Sequence, residues 1–276
     1  MKTIQIRDLF SEVIDEFENK WKKRNAHAVL WTGLKDLDEE VAGFSPGDTN
    51  VFYSEPLDDE LLSVLAINIL SNLLLHYHKK IVVFGGELSL HNYARRIYSQ
   101  MSKVRVLDMK LGHIRNDDWP RLSDAMTSIN SADVQFFEPM TDSEIILEAL
   151  TELATKHIDE LNCIFIHLDQ HMQDDAEIDR IIKLLKKIAL EYKVVVFTFI
   201  HKPYRGSKGY LDKIQRDLSY MPYADKLFKL SWEERIRVSD QRSVFIDIQR
   251  GARMGQRDVQ LLFDRKYSTL ESLKLY

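Results

Sequence analysis

Between residues 4 and 24, Ile6, Leu9, Phe10, Val13, Ile14, Phe17 and Trp21 recur at the three- and four-residue spacing of one helical face. Asp8, Glu12, Asp15, Glu16 and Glu18 occupy the other face. Lys20, Lys22, Lys23 and Arg24 gather at the end where cations suit the helix dipole. This pattern predicts an amphipathic arm over residues 1–28, whose apolar stripe must be buried on its own domain or on a neighbouring subunit. From Trp31 the pattern changes. Short continuous apolar runs, which read as buried strands, fall at 49–53, 81–84, 134–137, 163–168 and 193–200. Longer stretches at 61–77, 91–101, 119–129, 141–157 and 176–192 read as helices, with Thr141 or Asp142 as a cap. Val104 to Met109 reads as a short strand. Beyond Ala224 the chain reads as strands joined by turns, clearest at 244–248 and 259–263.

Strands alternating with helices predict an α/β fold, a mainly parallel sheet with helices on both faces, extended by late antiparallel strands. No repeat or low-complexity tract divides residues 29–276, so they read as one domain. Composition narrows the compartment more than the activity. Cys163 is the single cysteine, which excludes an intrachain disulfide and suits a reducing, cytoplasmic setting. The chain holds no apolar run of about 18 residues, so no membrane partner is expected. The net charge of −5 means that any nucleic-acid contact must be a local basic surface.

Candidate chemistry centres on the connection Ser54-Glu55-Pro56-Leu57-Asp58-Asp59-Glu60-Leu61 between a predicted strand and a predicted apolar helix. Strand, loop and helix form the setting of a phosphate-binding loop, whose glycines let backbone N–H groups approach phosphate. Here the connection has no glycine and no lysine. A second cluster, His167, Asp169 and His171, lies at a strand-to-loop junction; its spacing matches no common zinc motif, so no metal site is assigned. Lys202, Arg205, Lys208, Lys213 and Arg216, with Tyr204 and Tyr210 among them, combine cations and aromatics as single-stranded DNA binding requires. They are the DNA-binding candidates.

The order of several motifs resembles the RecA-like C-terminal domain of DnaB-type replicative helicases. Trp31–Asp38 and Gly43–Asp48 look like that family's T-G-x-x-x-L-D and G-x-x-x-G segments. Phe84-Gly85-Gly86-Glu87-Leu88-Ser89 is similar to its F-S-L-E-M-S strand end, Leu111-Gly112 with Asp118–Leu122 to the segment where a tryptophan opens a helix, and Ile164–Met172 to the strand ending I-D-Y-L-Q-L-M. Asp247-Ile248-Gln249-Arg250-Gly251 resembles K-x-R-N-G. The resemblance implies a RecA-like P-loop NTPase fold, Glu87 as catalytic base, Arg250 as an arginine finger toward the adjacent subunit, and an N-terminal linker helix that docks on that subunit.

It also implies losses. With Pro56 as the anchor, the family's Gly-Lys-Thr falls near Asp59-Glu60-Leu61. Glutamate in place of lysine opposes a triphosphate, and one like-charge pair near 4 Å costs roughly 4 kcal/mol at an effective dielectric of about 20. Leu61 offers no oxygen to magnesium. The metal-binding aspartate of the next motif becomes His167, followed by Asp169 and Gln170, and the family's strand-end glutamine becomes Phe199. The expected function is therefore a DnaB-like protein with degenerate Walker A and B sites, a non-hydrolysing component in DNA replication or mobile-element biology, with no cofactor. Its expected partners are itself, in a ring or filament, or a true replicative helicase, with single-stranded DNA possible. Two alternatives stand beside it: an active ATP-dependent, magnesium-dependent helicase or translocase with an unusual phosphate loop, and a RecA-fold scaffold related to recombination proteins.

Overall fold

The computed structural model describes residues 14, 29–54, 59–76, 80–85, 88–138, 140, 142–156, 161–168, 175–201, 223–232, 241–251 and 258–272. In chain order these form α1 (Lys35–Val41), β1 (Thr49–Ser54), α2 (Asp59–His76), β2 (Lys80–Phe84), α3 (Leu90–Ser102), α4 (Val106–Leu111), a 3-10 turn (Asn116–Asp118) and α5 (Trp119–Asn130). They continue with β3 (Val134–Phe137), α6 (Ser143–Lys156), β4 (Leu161–Leu168), α7 (Asp175–Tyr192), β5 (Val195–His201), β6 (Lys226–Trp232), β7 (Gln241–Arg250), β8 (Asp258–Asp264) and β9 (Thr269–Ser272).

All nine strands join one sheet in the order β3-β2-β4-β5-β1-β6-β7-β8-β9. Strands β3 to β6 pair in parallel, and β6 to β9 in antiparallel fashion. The expected α/β architecture, a mainly parallel sheet with an antiparallel extension, is the one observed. Continuous apolar runs become central strands because both faces are covered: every residue of β1 is buried. Helices α2 and α3 cover one face with Phe52, Phe165, Phe197 and Phe199. Helices α6 and α7 cover the other with Val51, Ile164, Ile166 and Val196. Helix α2 is apolar almost all round, the composition of a buried helix, with Leu61, Leu62, Leu65, Ile69 and Leu73 fully enclosed.

Val104 to Met109 corrects the sequence reading. The segment is not a strand; its core is α4. Arg105 bonds Asp108 twice, at 2.6 and 2.9 Å, across one helical turn. Gly112 then closes the helix in the left-handed region at φ 72°, with its N–H on the Asp108 carbonyl. The short, mainly apolar run carried no information about either lock. At α6 the expected cap is present: Asp142 accepts the Glu144 N–H at 2.8 Å.

Polar side chains fix how the segments meet. Asn72 of α2 donates to the Trp31 carbonyl at 3.0 Å. Gly33, at φ +82°, approaches that side chain so closely that a Cβ would lie 2.5 Å from it. Asp38, almost fully buried, accepts the Thr32 N–H at 2.9 Å, the Thr32 hydroxyl at 2.7 Å and the Gly33 N–H at 3.0 Å. Burial outweighs these bonds and pushes its carboxyl from 3.8 up to about 6.

Because that folded value lies above the unfolded one, the penalty is absent below pH 3.8 and complete above about pH 6, where it reaches about 3 kcal/mol. Asp38 is expected to titrate near pH 6 in carboxyl-detected NMR, and Asp38→Asn is expected to gain stability relative to the parent between pH 4 and pH 7. A midpoint at or below the ordinary carboxylate value contradicts this account.

Candidate nucleotide site

In an open α/β sheet the natural ligand crevice lies beyond the carboxyl ends of the parallel strands. Here that rim is formed by Ser54 of β1, Phe84 of β2, Leu168 of β4 and His201 of β5. On the α2 face, just inside the rim, four rings stand in register across four neighbouring strands: His167 of β4 opposite Phe199 of β5, then Phe52 of β1, then Phe228 of β6. Ring centroids are 4.8, 5.4 and 4.3 Å apart, with interplanar angles of 19°, 19° and 10°. A second layer, Phe165 and Phe197, lies behind them with centroids 5.0 Å apart, and Phe44 packs 5.0 Å from Phe197. The three phenylalanines of the front row are fully enclosed, and His167 is only 2% exposed.

Tyr93 of α3 closes the row at the β4 end. Its hydroxyl lies 3.5 Å from His167 Nε2, and its ring meets the imidazole edge-on. Burial pushes the Tyr93 hydroxyl well above the ordinary phenol value, so it remains protonated. The floor beneath the rim is therefore hydrophobic and aromatic, and His167 is packed as one more ring in it.

At the start of α2, Leu61 is fully buried in the same core. Glu60 turns toward α3, where it forms an ion pair with Arg96; Arg96 also donates to the Ser268 hydroxyl at 3.1 Å. Glu60 is half-exposed, and its charge is balanced from within the fold. Sequence reading missed Arg96 because the pair spans 36 residues and two helices, a relation that local periodicity does not encode.

Arg250 stands elsewhere. It is the exposed last residue of β7 and lies opposite Leu227, which pairs at the level of Val51. Strand β7 runs antiparallel, so Arg250 sits about 10 Å from the Ser54 rim toward the amino ends of the parallel strands. Within one chain it is not brought beside α2. Its neighbour Gln249 accepts the Tyr53 hydroxyl at 2.6 Å, which ties β1 to β7 across β6. Pro56, Glu87, Asp169, Gln170, Lys202, Arg205, Lys208, Lys213 and Arg216, and the side chain of Asp59, lie outside the described residues. Among the described residues no cluster of three or more histidine, cysteine or acidic groups is poised around a metal.

The sequence matches the family described as "DnaB-like helicase C terminal domain" over residues 30–201. It is 26% identical over 285 residues to the "Probable replicative DNA helicase" of Trieres chinensis, covering 95% of this chain and 61% of that protein. It is 24% identical over 176 residues to "Replicative DNA helicase DnaB" of Buchnera aphidicola subsp. Baizongia pistaciae, covering 60% of this chain and 37% of that one. The chain thus spans less than two thirds of the length of these relatives. The fold aligns with a solved ATPase domain at a TM-score of 0.71 and 16% identity, covering 99% of this chain and 100% of that chain. A solved DnaB-like replicative helicase, described with its primase interactions, gives a TM-score of 0.70 at 15% identity over 99% of this chain and 68% of that chain.

The stacked row is expected to carry much of the sheet's stability. Phe199→Ala, which opens a hole between three rings, is expected to lower the unfolding free energy by about 3–5 kcal/mol in urea titration. A loss under about 1 kcal/mol contradicts the packing described here.

Proposed function

Because the chain belongs to the DnaB-like helicase C-terminal domain family, we propose that it is a RecA-fold component which does not hydrolyse ATP and acts through its surfaces. It serves in DNA replication or mobile-element biology, assembled with its own kind or with a true replicative helicase. The observation that carries this reading is the row His167–Phe199–Phe52–Phe228. Phosphoryl transfer needs charge neutralisation and metal positioning, since the protein supplies little else. By the motif correspondence, two row positions replace the family's aspartate and glutamine with rings that are buried and stacked. Leu61, enclosed at the start of α2, offers no oxygen to magnesium, and Glu60 adds a carboxylate where the family has a lysine. These residues do not fit a magnesium triphosphate.

The assembly half of the reading rests on an exposed apolar set. Leu111 of α4 with Trp119 and Met126 of α5 are 55%, 59% and 52% exposed. Trp119 and Met126, seven residues apart, share one face of α5. The occupant we assign is the arm of a second copy. Its stripe matches in apolar character, and Ile14 on that stripe is itself 53% exposed in the single chain. The arm's acids, Asp8, Glu12, Asp15, Glu16 and Glu18, complement the exposed Lys103 and the guanidinium groups of Arg115 and Arg121, which also hold Asp118.

The competing enzyme reading keeps Glu87 as base and Arg250 as finger. One experiment separates the two: phosphate release from magnesium–ATP with and without single-stranded DNA, alongside light-scattering mass for the parent and for Trp119→Glu/Met126→Glu. The expected result is no DNA-stimulated turnover, an oligomeric parent and a monomeric double variant. DNA-stimulated hydrolysis that falls on Glu87→Gln contradicts the first half; an unchanged mass in the double variant contradicts the second.

A further inference from the structure

Beside the start of α2 the fold builds a concave site that borders the candidate nucleotide site and shares Glu60 with it. A cavity of about 470 Å³ opens between α3, α4 and the β8–β9 turn. Among the described residues its charged lining is Arg96, Arg105, Lys110, Arg265 and Lys266 against one carboxylate, Glu60. In a chain whose net charge is −5, this convergence is not a general surface property. The cations come from three separate segments of the sequence, so no run of basic residues announced them.

The cavity is held in shape by the backbone. The β8–β9 turn is fixed at Ser268, whose carbonyl accepts from Asn68 at 3.0 Å and from Gln100 at 2.5 Å, and whose hydroxyl accepts from Arg96. Next to it, the Lys266 carbonyl accepts the Val106 N–H at 3.1 Å, which joins the turn directly to the first residue of α4. Arg105 is aligned by its two bonds to Asp108. Arg96 is aligned by Glu60 and Ser268. Lys110 and Arg265 are exposed and have neither an ion pair nor a hydrogen bond among the described residues. Two guanidinium groups are thus pre-set by internal partners, and Lys110 and Arg265 line the same space.

We propose that this cavity binds the phosphodiester backbone of single-stranded DNA. Guanidinium forks match phosphate oxygens, and lysine supplies point charge. Among the described residues, Glu60 and Ser268 are the only lining side chains with an oxygen acceptor, and both are engaged by Arg96, so this lining does not read base edges. Binding of this kind is sequence-independent. A concave site admits a flexible strand more readily than a rigid duplex. The apolar set Leu111, Trp119 and Met126 lies outside the lining, which separates this site from the face assigned to the arm. Strands β8 and β9 are the outermost on their side of the sheet, and β1, β6 and β7 stand between them and β5. It stands whether or not ATP is hydrolysed.

The test uses the full chain and a fluorescent oligothymidylate of about 20 nucleotides, with anisotropy read between about 50 and 200 mM salt. The probe variant is Lys110→Gln/Arg265→Gln, since both side chains are exposed and neither breaks an ion pair; its melting temperature confirms folding. Lys202→Gln/Arg205→Gln serves as the comparison. The expected result is a loss of affinity of at least roughly tenfold near 0.1 M salt. The slope of log affinity against log salt should also be shallower by about 1.4, or 0.7 for each lost phosphate contact. The same loss should appear in the Lys202→Gln/Arg205→Gln background. Three outcomes overturn the proposal: unchanged affinity and slope; loss of inorganic pyrophosphate binding with DNA binding intact, which marks a small-anion site; or a change in oligomeric mass with DNA binding intact, which marks an acidic protein segment as the occupant.

Discussion

Four rings in one lateral line, His167, Phe199, Phe52 and Phe228, set the conditions for the rest of this molecule, because each belongs to a different strand and all four sit at the same height. Strand register is strongly specified where a face is buried, since a one-residue slip turns every side chain to the other face. Phenylalanines on β5, β1 and β6 therefore lock the parallel core into one alignment, and offset stacking adds roughly 0.5–1.5 kcal/mol per pair to the burial itself. Helix α2 is laid over this line and buries its own apolar surface there. The same line occupies the level at which an α/β sheet of this kind would present polar groups to a ligand at its rim. Here stacked rings occupy those positions.

Around that centre, a few polar contacts decide how distant segments meet. Asn68 and Asn72, the two asparagines of α2, reach respectively to the β8–β9 turn and to Trp31, so one helix fixes both the late strands and the opening segment of the domain. Leu270 N–H returns a bond to Asn68 at 2.8 Å. At the amino end of the sheet, Lys186 joins Asp225 at 2.6 Å, and Asp225 accepts the Thr49 N–H at 2.7 Å. These bonds close the sheet opposite the rim. Buried polar groups of this kind are costly unless paired, which is why each one constrains geometry as well as adding energy.

The central strands and α2 were legible because buried strands and a buried helix leave continuous apolar runs of different length. Helix α4 was not. The run Val104 to Met109 is short and rich in valine and leucine, and the helix's true determinants are a side-chain pair one turn apart and a left-handed glycine beyond its end. At the candidate site, the sequence indicated which residue types stand at the rim but not what they do there. That His167 stacks on Phe199, and that Glu60 is balanced by Arg96, are relations between segments distant in the chain. Arg250 illustrates the same limit: its motif suggested a role, while only the antiparallel register places it well below the rim. The basic cavity was the least legible feature, since three short segments supply it and none is basic enough to be noticed alone.

Membership of the DnaB-like family and the RecA-like fold leave the activity of this chain to its own rim residues. A nucleotide that binds the folded state and not the unfolded one raises stability by about 2.7 kcal/mol at a concentration one hundred times its Kd. For a domain of this size each 1 kcal/mol corresponds to about 2–4 °C in melting temperature. Thermal unfolding with and without millimolar magnesium–ATP therefore tests the central claim directly. If the rim is packed with rings where the triphosphate chemistry would stand, the melting temperature does not move; a magnesium-dependent rise of several degrees contradicts it.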